Sequence, residues 1–238
     1  MAASATHWLP LQSSPEMLNG FAKAAGLPAD SGFEFVDVWG LDDELLAMVP
    51  GEKLALTLLF DHTSEKLGAF KAAQAVELSA SPPTLPADLF YVKQFVGNAC
   101  GTIAATHVLA NAARSAIPAD SALGKFFAAG SAQTPDERGN TLAEAADIHA
   151  LSESSASGAN GGGEDGAPEL GAKVDFHFIS FVEAGGEVWE LDGRKVSPVS
   201  HGPTGGDFLK AAVTAIKAKY MDVDPDAQMW NIMAFTKQ

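Results

Sequence analysis

The first two thirds of the chain carry mostly helical patterns, and strand patterns gather in the last third. Ser14-Pro15-Glu16 opens a first helix, with Ser14 as N-cap and Pro15 at the first helical position. Leu18, Phe21, Ala22 and Ala25 then share one face, and Gly26-Leu27-Pro28 ends it. Residues 33–39 alternate and predict a strand, and residues 42–48 a short helix stopped by Val49-Pro50-Gly51. Residues 54–60, LALTLLF, are apolar on both faces, which predicts a central strand covered from both sides. A helix over 64–78 follows, with Leu67, Phe70 and Gln74 in line, then a proline-rich loop at 81–86.

A helix is expected from Cys100 to about Ala113, and another over 120–129. Thr134-Pro135-Asp136-Glu137 is a capping box, opening a helix to about Leu151. Residues 152–170, dense in Ser, Gly, Glu and Asp, lack apolar periodicity and bury too little to offset their ordering entropy. Such a stretch is a linker or a functional loop. Only 68 residues (171–238) follow it, too few for a second domain rich in strands that need partners. It therefore reads as an active-site loop, at about 152–172, within one domain spanning 1–238.

Residues 174–182 and 187–191 predict strands joined by Glu183-Ala184-Gly185-Gly186, a hairpin signal. Residues 194–200 add a third strand, 207–221 a helix and 229–235 a closing apolar strand. The pattern predicts an α+β fold around one mainly antiparallel sheet flanked by helices.

Composition narrows the function. Thirty acidic against 15 basic residues argue against nucleic acid as a partner, because binding phosphates needs a basic face. The acidic excess serves solubility or attracts a basic protein or tail. One cysteine excludes an intrachain disulfide and any multi-cysteine zinc site. The start, MAASATHWLPLQ, has neither a basic n-region nor an apolar h-region, and no apolar run approaches the ~20 residues that span a bilayer. The expectation is a cytoplasmic monomer without membrane contact.

The single cysteine sits in QFVGNACGTIAATHVLA, between a Gly-rich turn and a helix start. There the helix dipole and unpaired N–H groups favour thiolate. A lone Cys is otherwise a small buried hydrophobe, so the chain must also supply a base. Six histidines are available. With the hairpin turn centred between Ala184 and Gly185, Val182 faces Glu187 and His177 faces Asp192, their side chains on one face. Asp192 would then orient the imidazole and leave its other nitrogen for the thiol. His107, two turns along the same helix, is too far to serve. His149 and His201 read as surface or loop residues, and His7 and His62 have no legible partner. Besides the Cys100 N–H, an oxyanion donor is needed, with Gln94 and Asn98 as candidates; Asn98 is also a helix-cap candidate.

These residues resemble a known family. Gln94-Phe95-Val96-Gly97-Asn98-Ala99-Cys100-Gly101 followed by His107 is similar to the nucleophile signature of the ubiquitin carboxyl-terminal hydrolases, Q-x-x-x-N-[SA]-C-G, five residues, then H. Asp175–Ile179 (DFHFI), Glu190–Arg194 (ELDGR), WLPLQSSPE, FVDVWGLDDELLAMVP and DPDAQMWN extend the likeness over nearly the whole chain, nearest to the L-three isozyme group. Ala105-Thr106 departs from it, standing where the family has two aliphatic residues. The resemblance implies a papain-like domain with a knotted backbone and thiol hydrolysis at the C-terminal glycine of ubiquitin or a close ubiquitin-like relative. Cys100 would be nucleophile, His177 general base and acid, Asp192 orienter and Gln94 oxyanion donor, with His107 stabilising its helix and no metal or cofactor needed. The 152–172 loop would cross the active site and favour small or flexible leaving groups. The alternatives are a catalytically silent ubiquitin-binding module and a broader cysteine protease.

Overall fold

The computed structural model describes residues 7–157 and 174–238. Six strands form one sheet, β1 (Phe33–Asp37), β2 (Glu52–Asp61), β3 (Phe176–Ala184), β4 (Glu187–Leu191), β5 (Val199–Pro203) and β6 (Trp230–Lys237), in the order β1-β6-β2-β3-β4-β5. Every neighbouring pair is antiparallel. β2 lies inside the sheet, as its two apolar faces require. Ala55 joins a core beneath α1 (Pro15–Ala25), α4 (Cys100–Ala112) and α5 (Ala122–Gly130), whereas Leu56, Leu58 and Phe60 join a second core beneath α8 (Phe208–Ile216). The remaining α-helices among the described residues are α2 (Asp43–Leu46), α3 (Glu65–Ala80), α6 (Pro135–Glu144) and α7 (Ala146–Ala156). Helices on both faces exclude water from the central strands.

Local signals set most ends. Ser14 accepts from Met17 N–H at the start of α1, and both arms of the Thr134–Glu137 capping box form. Three expectations are corrected. The helix foreseen from Thr134 to Leu151 breaks at Ala145. Leu142 and Ile148, about 240° apart on a continuous helix, both enter the same core because of that break. The loop expected from Ser152 starts later. Ser152–Ala156 forms the last part of α7, with Ser152 buried and bonded to Thr102 Oγ1 at 2.6 Å. The rest of that loop, from 158 to 172, lies outside the described residues. The third hairpin strand is Val199–Pro203 rather than 194–200, because Asp192–Lys195 first makes a turn, Lys195 N–H donating to Asp192 O at 2.9 Å.

The hairpin register also differs. Ala184, not Val182, faces Glu187, and Gly185-Gly186 alone forms the turn, at φ 58° and 79°. Two adjacent positive φ values suit the tight two-residue turn whose twist matches the strands. The slip is two residues, so the side-chain faces stay as expected. Asp192, just beyond β4, becomes a diagonal neighbour of His177 rather than its direct opposite.

Candidate active site

Cys100 is the first residue of α4, with Ala99 at the N-cap position making no side-chain cap bond. Asn98 is therefore not the cap; it takes φ 61° in the turn before the helix. The helix packs closely on β3, since a Cβ on Gly101 would lie 3.3 Å from the Phe178 ring. The N-terminal segment runs beside the same turn, Trp8 N–H donating to Gly97 O at 3.0 Å.

His177, the second residue of β3, is fully buried. Its Nε2 meets Asp192 Oδ1 at 2.7 Å. Nδ1 has no other hydrogen-bond partner among the described residues and is the ring atom left for Cys100. Burial by itself pushes the thiol up, but the hydrogen bond and charge of His177, the Phe178 N–H and the Arg194 guanidinium together bring it below its ordinary value. Burial pulls His177 down, and Asp192 and then Cys100 overcome this and raise it. Opposite shifts of thiol and imidazole favour a thiolate–imidazolium pair, which titrates as a unit. Asp192 is buried as well, yet His177, Lys71 and Lys195 hold its carboxyl far below the usual range.

Asp192 is held on every side. Oδ1 also accepts from Arg194 N–H at 2.9 Å, and Oδ2 is ion-paired with Lys71 of α3 at 3.1 Å. Tyr91 Oη donates to the carbonyls of Asp192 and Lys195, at 2.7 and 2.8 Å, and Lys93 Nζ donates to Lys195 O. Gln94 N–H donates to Gly193 O at 2.9 Å. A Cβ on Gly193 would stand 3.0 Å from Gln94 Cβ, so this close approach favours glycine. The turn carrying Asp192 is thereby clamped to the segment leading into Cys100. Gln94 Nε2 donates to Val96 O at 3.0 Å, which leaves its second N–H for another acceptor.

His107 is remote from the thiol. It is buried, burial pulls it down to about 4, and its Nε2 accepts from Val92 N–H at 2.9 Å. A neutral imidazole there pins α4 to the 89–94 segment. Thr106, the departure in the family signature, turns its hydroxyl to Thr102 O at 2.7 Å and so is satisfied within the helix.

His201 and His62 are corrected. His201 is no surface residue: its Nε2 meets the fully buried Glu190 at 2.9 Å. Glu190 also receives Lys195 Nζ and Tyr220 Oη. Burial works to raise that carboxyl, and Lys195 and His201 instead hold it at about 2. His149 stacks on Trp8, ring centroids 4.8 Å apart. His62 has partners, Val174 O at 3.1 Å and the His177 ring at 6.3 Å. Sequence reasoning missed Lys71, Lys195 and Tyr220. Only Lys71's helical spacing from Leu67, on the inner face of α3, offered a signal.

A cleft of about 380 Å³ opens beside Cys100, lined chiefly by Pro10, Leu11, Leu59, Phe176 and Phe178. Among the described residues no His/Cys/Asp/Glu group has metal-ligand geometry, and no helix is long and apolar enough to cross a membrane.

The grouping of thiol, imidazole and carboxylate beside the sheet is the arrangement that thiol hydrolases use. The sequence model of "Ubiquitin carboxyl-terminal hydrolase, family 1" matches residues 8–222, and the chain belongs to that family, whose members are cysteine-type deubiquitinases. It is 38% identical over 227 residues to a ubiquitin carboxyl-terminal hydrolase of Aplysia californica, covering 94% of this chain and 99% of the relative. It is 35% identical to ubiquitin carboxyl-terminal hydrolase 3 of Arabidopsis thaliana (100% and 97% covered) and 30% identical to isozyme L1 of Homo sapiens (96% and 97%). In fold it is similar to the UCH37 catalytic domain of Trichinella spiralis, solved bound to ubiquitin vinyl methyl ester. The TM-score is 0.71 at 21% identity, covering 98% of this chain and 96% of that one.

Proposed function

We propose that Cys100 attacks the carbonyl of the C-terminal glycine of ubiquitin, with His177 as acid and base, Asp192 as its orienter and Gln94 as an oxyanion donor. The observation that carries the assignment is the buried His177–Asp192 bond of 2.7 Å, whose imidazole leaves Nδ1 to the thiol at the start of α4. The thiolate adds to the carbonyl carbon, and the Cys100 N–H and the Gln94 amide stabilise the developing oxyanion. His177 then gives its proton to the leaving nitrogen or oxygen as that bond breaks, leaving a thioester. Water next loses a proton to the neutral imidazole and its oxygen attacks the thioester. Breaking of the C–S bond restores thiolate and imidazolium.

The whole chain acts in this reading as one catalytic domain, a cytoplasmic monomer. Its apolar cleft takes the extended tail of ubiquitin, or of a close ubiquitin-like relative. The net charge of −15 suits a basic tail. The 158–173 segment, following α7 and preceding β3, is positioned in sequence to restrict leaving groups to small or flexible ones. The test compares a fluorogenic ubiquitin C-terminal amide, a generic peptide amide and folded diubiquitin. Rapid hydrolysis of the first alone supports the reading. Equal turnover of the generic peptide contradicts the ubiquitin assignment, and rapid cleavage of diubiquitin contradicts the leaving-group restriction.

A further inference from the structure

We propose that Lys71 is a positioning residue for the reaction, the outer member of an alternating row of charges, Lys71–Asp192–His177–Cys100, that sets the proton affinity of His177. The proposal rests on the assignment of the last three residues made above.

The geometry is specific. α3 contributes one fully buried side chain, Leu67, so apolar burial does little to hold this 16-residue helix. Its inner face instead continues, four and seven residues on, as Lys71 and Gln74. Gln74 Oε1 accepts from Lys195 Nζ. Lys71 Nζ lies 3.1 Å from Asp192 Oδ2 and 4.8 Å from the centre of the Phe60 ring. Phe60 in turn meets the His177 ring edge-on, centroids 5.8 Å apart. The lysine is thus fixed by two contacts to the residues that surround the imidazole, and its side chain is only 23% exposed.

Charge arithmetic gives it a task. Asp192 is wholly buried and, among the described residues, would otherwise have His177 as its only contacting cation. With Lys71 on Oδ2, the carboxylate is neutralised whether or not the imidazole is protonated. His177 therefore feels an attenuated negative charge and remains acidic enough to give its proton to a leaving group. The other groups facing His177 are Cys100 from α4 and His62 at the end of β2. Arg194 N–H and Lys195 approach from the turn after β4, and Glu190 with Tyr220 lie beyond Lys195. Among these Lys71 is the side-chain cation in direct contact with the free oxygen of Asp192.

Removing that cation makes the site more negative, so the pKa values of both His177 and Cys100 rise, and that of His177, the nearer group, rises more. The test uses the full chain as wild type, Lys71→Met, Lys71→Gln and Lys71→Arg. Cys100 is the only cysteine, so the pH dependence of its alkylation by iodoacetamide reads this pair without any substrate. In Lys71→Met and Lys71→Gln the alkaline step is expected to move up by about one pH unit. Their kcat on a ubiquitin amide, where the enzyme turns it over, falls about threefold because the imidazolium is a weaker acid. Lys71→Arg restores the wild-type profile. Alkylation steps that coincide in wild type and both neutral variants overturn the proposal. So does a lowered melting temperature with unmoved steps, the signature of a lysine that merely pins α3, or a raised KM alone. A wild type that shows the alkylation steps but neither hydrolyses nor is labelled by a ubiquitin electrophile defeats the functional reading and leaves the Lys71 result to stand by itself.

Discussion

Replacing Asp192 with Asn removes one charge and leaves the acceptor geometry nearly intact. The Asn carbonyl can still take the 2.7 Å bond from His177 and the 2.9 Å bond from Arg194 N–H. What disappears is the attraction between carboxylate and imidazolium. At a charge separation near 4 Å and an effective dielectric of about 20, that attraction is about 4 kcal/mol, and losing it lowers the proton affinity of His177. Burial, the largest influence opposing protonation of His177, is then unopposed by Asp192. The imidazolium that partners the thiolate is lost near neutral pH, and kcat/KM on a ubiquitin amide falls on the order of 10³-fold. Iodoacetamide alkylation of Cys100 isolates the electrostatic part, because no other cysteine competes. The wild type should react at a pH below that of an ordinary thiol, with a second step where His177 loses its proton; in Asp192→Asn the thiolate step should move up toward free cysteine. An alkylation profile superimposable on the wild type, with unchanged kcat/KM, would refute the reasoning.

Gln94→Ala should lower kcat on the order of 10²-fold with little change in KM, measured on a ubiquitin amide; a change in KM alone would assign Gln94 to the turn. His107→Leu strands the Val92 N–H beneath a buried helix and should cost about 1–3 kcal/mol in urea unfolding, with the alkylation profile of Cys100 unmoved. Glu190, held at about 2 against an ordinary 4.5, has its folded-state pKa depressed. Its contribution of about 3 kcal/mol is therefore fully present above pH 4.5 and is lost as the pH falls toward 2. Unfolding midpoints of wild type and Glu190→Gln should be far apart at pH 7 and converge near pH 2; a constant gap would contradict the coupling.

The elements with strong local signals were legible. Ser14-Pro15 and the Thr134–Glu137 box announce helices through backbone groups within four residues, and β2 shows its central place in its two apolar faces. The register of β3 against β4 was misread by two residues because Ala184 and Gly185-Gly186 admit more than one turn. The pairing survived because side-chain direction repeats every two residues. That His177 and Asp192 would meet was readable from the hairpin, and motif and spacing singled out Cys100 and Gln94 for the roles proposed above. Lys71 was not legible, since its spacing from Leu67 marks only the inner face of α3 and not that this helix will lie against a turn 121 residues further along the chain. Glu190, Lys195, His201 and Tyr220 converge only through tertiary packing, and so the sequence placed His201 at the surface. The break at Ala145 likewise follows from where Leu142 and Ile148 must go, not from a helix-stopping residue.

The central claim is that Cys100 is a thiolate nucleophile for the C-terminal carbonyl of ubiquitin. Its most direct test is incubation of the intact chain with ubiquitin bearing a C-terminal electrophile, followed by intact mass and peptide mapping. The account predicts one covalent ubiquitin on Cys100 in the wild type and none in Cys100→Ala. An unlabelled wild type that still binds ubiquitin, or a labelled Cys100→Ala, would contradict it.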